Sequence, residues 1–277
     1  ISLSIWSVHK YVRGKTMDNV DFIDFVATTK AQGVELLSVF WEDPDKEIPR
    51  VRDALRRNNL ELACFGASNN LAVSDPDKRK TQLKDITDSV DMAAELGAKV
   101  VRVFSGNKEE GVRFEQAKSW IVEGLREAAA HASGKGIVLC LENHGLFAGK
   151  ADQVLEIIRE VGSPALASTF DTGNFLLVDD DPNEAIDKLK DHVSHVHFKD
   201  FMKADDSVEG HVYTSLSGQR YVGKVPGEGS VDLKYILTAL KRNGYDGWLT
   251  VEYEGNEEQK EGSIRSINNL AEILKHL

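Results

Sequence analysis

Residues 99–142 read KVVRVFSGNKEEGVRFEQAKSWIVEGLREAAAHASGKGIVLCLE, and the order of patterns inside this stretch decides the fold. It opens with a β-branched apolar run, Lys99–Phe104, crosses a polar turn, and continues from Phe114 to Ser133 with apolar residues at helical spacing. Gly134-Lys135-Gly136 then provides the flexible turn that ends a helix, and a second apolar run follows at Ile137–Glu142. Strand, helix and strand in this order predict two parallel strands joined by a crossover.

The same unit recurs in both directions. Further strands are expected at Leu3–Trp6, Gly33–Val39, Glu61–Gly66, Leu166–Phe170, Val193–His197 and Trp248–Glu252. Helical patterns cover Asp75–Leu96 and Pro182–Leu189, the latter starting with proline where a first helical residue tolerates it. Gly97-Ala98 and Asn243-Gly244 punctuate helix ends just as the quoted Gly-Lys-Gly does. Eight strands alternating with helices over 277 residues match a closed (β/α)8 TIM barrel, which takes roughly 250 residues. The expectation is therefore one barrel domain over 1–277. A doubly wound open sheet would want a glycine-rich loop after its first strand, and Ser-Val-His-Lys-Tyr stands there instead. The connection from Asp200 to Gly229 is long, as lids often are.

Composition narrows the function. Apolar residues make up 41% and charged residues 29%, a globular balance. The formal net charge of −11 supplies no basic surplus for a phosphate backbone, so no nucleic-acid partner is expected. No apolar stretch approaches the ~20 residues that span a bilayer, so no membrane association is expected either. Cys64 and Cys140 fall inside apolar runs and form no metal or disulfide motif. These features suit a cytoplasmic protein, although a removed leader or tag is compatible with a start inside a strand, and a homo-oligomer is compatible with the composition.

In a closed α/β barrel, chemistry sits at the C-terminal ends of the strands. Four apolar runs end in metal-ligand types: Val-Leu-Cys-Leu-Glu142, Ala-Ser-Thr-Phe-Asp171, Ser-His-Val-His197 and Leu-Thr-Val-Glu252. Three carboxylates meeting at one mouth would repel each other unless a cation compensated them. One divalent ion does so, and the mixed oxygen and nitrogen donors suit Mn, Mg, Co or Zn. His144 and Lys199 lie two residues beyond Glu142 and His197, so strand alternation aims them at the same mouth. Arg102 is costly to bury unpaired and wants a carboxylate or substrate oxygen. Trp6 and His9 follow the first strand as candidate pocket walls, and Glu228 occupies a glycine-flanked turn of the long connection.

The segments Leu-Glu-Asn-His-Gly (141–145), Phe-Asp-Thr-Gly-Asn-Phe (170–175), His-Val-His-Phe-Lys-Asp (195–200), Pro-Gly-Glu-Gly (226–229) and Val-Glu-Tyr-Glu (251–254) resemble the sugar phosphate isomerase/epimerase group of the xylose-isomerase-like barrels. That group includes ketose 3-epimerases, hydroxypyruvate isomerase, inosose dehydratase, dehydroshikimate dehydratase and, more remotely, endonucleases of the endonuclease IV type. The resemblance implies a metal quartet at Glu142, Asp171, His197 and Glu252. It departs at Asn174, where ketose epimerases and endonucleases carry the histidine of Asp-x-x-His. The third and fourth strands also end without the extra histidines that a three-zinc endonuclease needs.

What the resemblance implies is proton transfer beside a carbonyl of a small polyhydroxylated substrate, with a metal polarising the carbonyl. Glu142 and Glu252, on opposite sides of the ligand arc, are expected to exchange the proton through an enediolate. Isomerase or epimerase is the first expectation, a dehydratase of the inosose-dehydratase kind the second, and a non-catalytic sugar-binding protein the third. The loop after the last strand, Glu254-Gly-Asn-Glu-Glu258, places carboxylates where a phosphate would sit. An unphosphorylated substrate is expected, with Lys199, Lys203, Arg220 and Lys224 as the cations that would serve the other case.

Overall fold

The computed structural model describes residues 1–277. Strands β1 (Ser2–Ser4), β2 (Gly33–Leu37), β3 (Glu61–Gly66), β4 (Val100–Val103), β5 (Val138–Glu142), β6 (Leu166–Asp171) and β7 (Val193–Phe198) come first, then β8 (Asp200–Lys203), β9 (Tyr213–Thr214), β10 (Arg220–Lys224) and β11 (Leu249–Val251). Helices α1 (His9–Arg13), α2 (Asn19–Val26), α3 (Pro44–Asn58), α4 (Pro76–Leu96), α5 (Phe114–Gly134), α6 (Ala151–Val161), α7 (Pro182–Leu189), α8 (Leu233–Arg242) and α9 (Gln259–Lys275) are interleaved with them. Eight parallel strands close in the order β1-β11-β7-β6-β5-β4-β3-β2, a (β/α)8 barrel. Closure is made by Ser2 pairing with Thr250 and Leu3 with Val251.

Alternation along each strand sorts the residues. Leu139, Leu141, Phe170, Val196, Phe198 and Val251 point outward into one cluster of 63 buried apolar residues shared with the helices. The intervening Glu142, Asp171, His195, His197 and Thr250 point inward and are buried too. Register irregularities lie between Val34 and Glu35 and between Ser168 and Thr169, where a bulge re-aims the residues that follow.

The helices carry their own start and stop signals. Asp75 caps α4 by accepting from the Asp77 and Lys78 amides, Pro76 occupies the first turn, and Gly97 at φ +90° ends it in a conformation that glycine adopts without a Cβ penalty. Asp18 and Asp21 form a reciprocal capping box on α2, and Asp181 caps α7 ahead of Pro182.

Three expectations change. The second strand ends at Leu37 rather than Val39, where a 3-10 turn over Ser38–Phe40 begins. The first strand stops at Ser4 rather than Trp6, because Ser4 Oγ accepts from the Trp6 amide and starts a 3-10 turn over Ile5–Val8. The long connection is not an open lid: β8, β10 and β9 form a three-stranded antiparallel sheet, and Gly223 bridges to Gly255 just beyond β11.

Candidate metal centre

Glu142 and Asp171 are the last residues of β5 and β6, His197 precedes the last residue of β7, and Glu252 directly follows β11. Each offers a ligand atom, all four residues are buried, and those atoms lie within 4.8 Å of one another. His197 Nδ1 is 3.7 Å from Glu142 Oε2, 3.8 Å from Asp171 Oδ2 and 3.7 Å from Glu252 Oε2. Ligands held about 2.1 Å from a shared ion lie roughly 3–3.5 Å apart, so the set fits one small divalent cation after slight contraction. His197 Nδ1 is also buried without any hydrogen bond, and Asp171 Oδ2 meets only the Lys199 ammonium at 3.1 Å, so both have a lone pair to offer a cation. The group could therefore hold a metal.

The aim of each donor is set locally. Asp171 Oδ1 accepts from the Gly173 and Asn174 amides at 2.9 and 2.8 Å, which leaves Oδ2 for the centre. Asn143 brackets the Asp171 backbone, donating to its carbonyl at 3.0 Å and accepting from its amide at 2.7 Å. Glu142 Oε1 accepts from Asn174 Nδ2 at 3.1 Å, and Arg102 Nε stands 3.2 Å from Glu142 Oε2. Lys199 places its ammonium 2.6 Å from Glu252, 3.1 Å from Asp171 and 3.1 Å from Glu254.

These surroundings split the carboxylates. Burial raises Asp171 to about 6, against the opposing pull of Lys199. Burial likewise raises Glu142, although His197 and Arg102 oppose it. Burial would also raise Glu252, but Lys199 and His197 outweigh it and hold Glu252 below the usual carboxylate range. For His197 burial disfavours the charge, yet Glu35, Glu252 and Glu142 lift it to about 10.

The cluster opens into a cavity of about 220 Å³. Trp6, Leu37, Val39 and Phe104 form its apolar wall, and Arg102, Glu142, His144, Lys199, Glu252 and Glu254 its polar one, with Ser68 between. A larger groove of about 390 Å³ near Phe114 and Leu216 contains no carboxylate or imidazole and offers nothing for this chemistry.

Of the residues singled out from sequence, Trp6, Arg102, His144 and Lys199 come together here with the four candidate ligands, and Asn174 touches the cluster from behind through Glu142. His9 and Glu228 are not brought in. His9 stacks on Trp6 at 4.7 Å and bonds the Trp6 carbonyl, so it stands outside the wall it supports. Glu228 is drawn to Arg265 at 2.6 Å on the exposed flank. Sequence reasoning did not single out Glu35 or His195, and read Glu254 only as a loop carboxylate standing where a phosphate would sit. Glu254 sits two residues beyond Glu252 with the same inward parity, and it accepts from Trp6 Nε1 at 2.6 Å. Glu35 interrupts the apolar run Gly33-Val-Glu-Leu-Leu, and the cost of burying an unpaired charge there was the available signal.

Known proteins resemble this chain in sequence and in fold. Inosose dehydratase of Clostridium beijerinckii is 26% identical over 225 residues, covering 76% of this chain and 74% of that one. A solved D-tagatose 3-epimerase-like protein superposes with a TM-score of 0.80 at 23% identity, covering 99% and 97% of the two chains. The probable 3-DHS dehydratase of Bacillus anthracis gives 0.77 at 17% identity, covering 98% of each. The family profile described as xylose isomerase-like TIM barrel matches residues 23–273, and the chain belongs to that family.

Proposed function

We propose that the protein is a divalent-metal-dependent enzyme that removes a proton beside the carbonyl of a small, uncharged keto-polyol and then expels a hydroxyl as water. The observation that carries this reading is that Glu142 and Glu252 reach one cavity in different company: the Lys199 ammonium lies 2.6 Å from Glu252, whereas Glu142 stands 3.2 Å from Arg102 Nε and accepts from Asn174 Nδ2 at 3.1 Å. Two carboxyls in different surroundings beside one substrate site suit one acid and one base. Glu252 is the base for the carbon-bound proton, and Glu142 the group that returns a proton to the departing hydroxyl. Each must keep one carboxylate oxygen for the substrate while the other faces the cluster. Mn, Mg, Co and Zn all suit the donor set, and a bound ion would supply positive charge to the carbonyl oxygen as the neighbouring proton leaves.

Charge indicates the substrate class. Glu142, Asp171, Glu252 and Glu254 face Arg102 and Lys199, so four carboxylates meet two fixed cations and one divalent ion. The sum is zero, which leaves no surplus positive charge for a phosphate or carboxylate. A cavity of about 220 Å³ holds about seven waters at ~30 Å³ each, room for one six-carbon polyol.

Epimerisation or isomerisation through the same deprotonated species is the second reading, supported by two glutamates reaching one cavity. Dehydration stands ahead of it for two reasons. The sequence relative reported above is named for it. Where the ketose epimerases carry a histidine, Asn174 spends its amide on Glu142 and faces Lys199 at 3.4 Å. The deciding experiment incubates Mn²⁺-loaded protein with inososes and ketohexoses in deuterated water. An absorbing enone or diketone is expected, and a deuterated epimer without loss of water would favour the second reading. Metal-dependent binding with neither exchange nor water loss would reduce the protein to a sugar binder.

A further inference from the structure

We infer that Glu35 is the positioning residue of the metal centre: from inside the barrel it fixes the tautomer of His197 and aims Nδ1 at the three carboxylates. The inference rests on the reading of the cluster as a metal site and adds to it a residue from β2, on the far side of the barrel from the ligand strands.

Glu35 has no solvent exposure, and neither does His197. Its Oε2 lies 2.9 Å from His197 Nε2 and 3.1 Å from His195 Nε2, and its Oε1 accepts from Ser4 Oγ at 2.8 Å. A carboxylate can only accept, so Nε2 of His197 carries the hydrogen. The remaining ring nitrogen, Nδ1, is then the one that gives a lone pair once its proton has left, and it is the atom that faces Glu142, Asp171 and Glu252 without a hydrogen bond of its own. An imidazole that ligates a metal commonly donates its second N–H to a carboxylate, which fixes the ring and makes the ligating nitrogen more basic.

The arrangement is supported from below. Thr250 Oγ1 lies 3.1 Å from His195 Nε2 and 2.6 Å from Ser2 Oγ, so a continuous buried polar chain runs from Ser2 through His195 and Glu35 to His197. The register irregularity between Val34 and Glu35 occurs where β2 must turn this carboxylate towards β7. Glu35, His195 and His197 could also be read as a second metal group. That reading would need His197 to give both ring nitrogens to metals, and the observed separations of 2.9 and 3.1 Å are those of hydrogen bonds.

The test measures Zn²⁺ binding by calorimetry in the full-length protein, with Glu35→Leu and Glu35→Gln alongside. Glu35→Leu keeps the bulk and deletes the acceptor, and affinity should fall about 10- to 100-fold with one ion still bound per chain. Glu35→Gln keeps an acceptor oxygen but not the charge, and a fall near the lower end of that range is expected, which keeps the test decisive if the leucine variant fails to fold. In Zn²⁺-loaded wild type, ¹⁵N spectra should show His197 with metal-bound Nδ1 and protonated Nε2. In the variants the hydrogen-bonded Nε2–H signal should move, a change that loss of stability alone would not produce. Unchanged affinity and an unchanged His197 spectrum in a folded variant would overturn the inference, as would a second zinc in wild type that disappears with Glu35. Failure of wild type to bind Zn²⁺ at all would instead refute the metal centre itself, and the inference with it.

Discussion

Glu252 and Glu142 differ in what removing their charge should do. Glutamine at either position keeps the size and one coordinating oxygen but loses nearly all basicity. Glu252→Gln and Glu142→Gln should each retain substantial metal while proton exchange between substrate and deuterated water falls by on the order of a hundredfold or more. Metal content must be read in the same samples, and exchange that survives in both metal-loaded variants would move the base to Lys199 or His144. A second expectation concerns pH. The ion needs deprotonated ligands, whereas without it His197 holds its proton up to about 10 and Asp171 up to about 6. Metal affinity should therefore rise with pH through the neutral range and fall more steeply in acid where Asp171 also protonates, with about one proton released per ion near neutrality. Calorimetry in buffers of different ionisation enthalpy reads this directly, and an affinity flat from acid to neutral pH would contradict it. At this scale much of the candidate site was legible: Glu142, Asp171, His197 and Glu252 end apolar runs, and a barrel concentrates such ends at one mouth. Glu35 and His195 escaped because they lie within strands, where only pairing across the barrel makes a charge tolerable.

Among the elements, the β8–β10 sheet is where patterning failed most. Its middle partner in sequence, β9, is two residues long, too short to alternate visibly. The larger strands were readable because fully buried parallel strands are continuous apolar runs, and β1 was overextended for the same reason: Ile5-Trp6 continue the run after Ser4 has already turned the chain. The small sheet is tied to the barrel by the bridge between Gly223 and Gly255. A side chain at Gly223 would overlap the Glu254 carbonyl, a backbone atom that cannot swing aside. Gly223→Val should cost about 1–3 kcal/mol and loosen residues 200–224. Hydrogen exchange should quicken there, and KM should rise because Glu254, which anchors Trp6 and Lys199, borders the bridge. Unaltered exchange in that segment would show that the bridge does not hold the sheet.

For the whole molecule, the four candidate ligands come from four neighbouring strands, β5, β6, β7 and the end of β11, so an ion bound there ties a large arc of the barrel together. A ligand that binds only the folded state at a hundred times its Kd stabilises by about 2.7 kcal/mol. At about 2–4 °C per kcal/mol for a chain of this size, Mn²⁺ should raise Tm by roughly 5–10 °C. Chelation should reverse the shift, and His197→Ala should nearly abolish it, since that change removes the one nitrogen donor. A full shift in His197→Ala would rule out the quartet. The barrel itself was legible because length, strand count and helix punctuation agree with one another, while the charge-neutral cavity wall emerges only when strands far apart in sequence are brought side by side.

The pairing of β1 with β11 has a consequence for how the protein is made. Ser2 meets Thr250, so β1, the earliest of the barrel strands to be made, waits for β11, the last of them, before its second edge is covered. During that interval the growing chain presents an open sheet with two unpaired edges, the condition under which nascent chains stick to one another. Translation speed and chaperone supply should therefore matter more to the yield of this protein than to one whose neighbours in space are all neighbours in sequence.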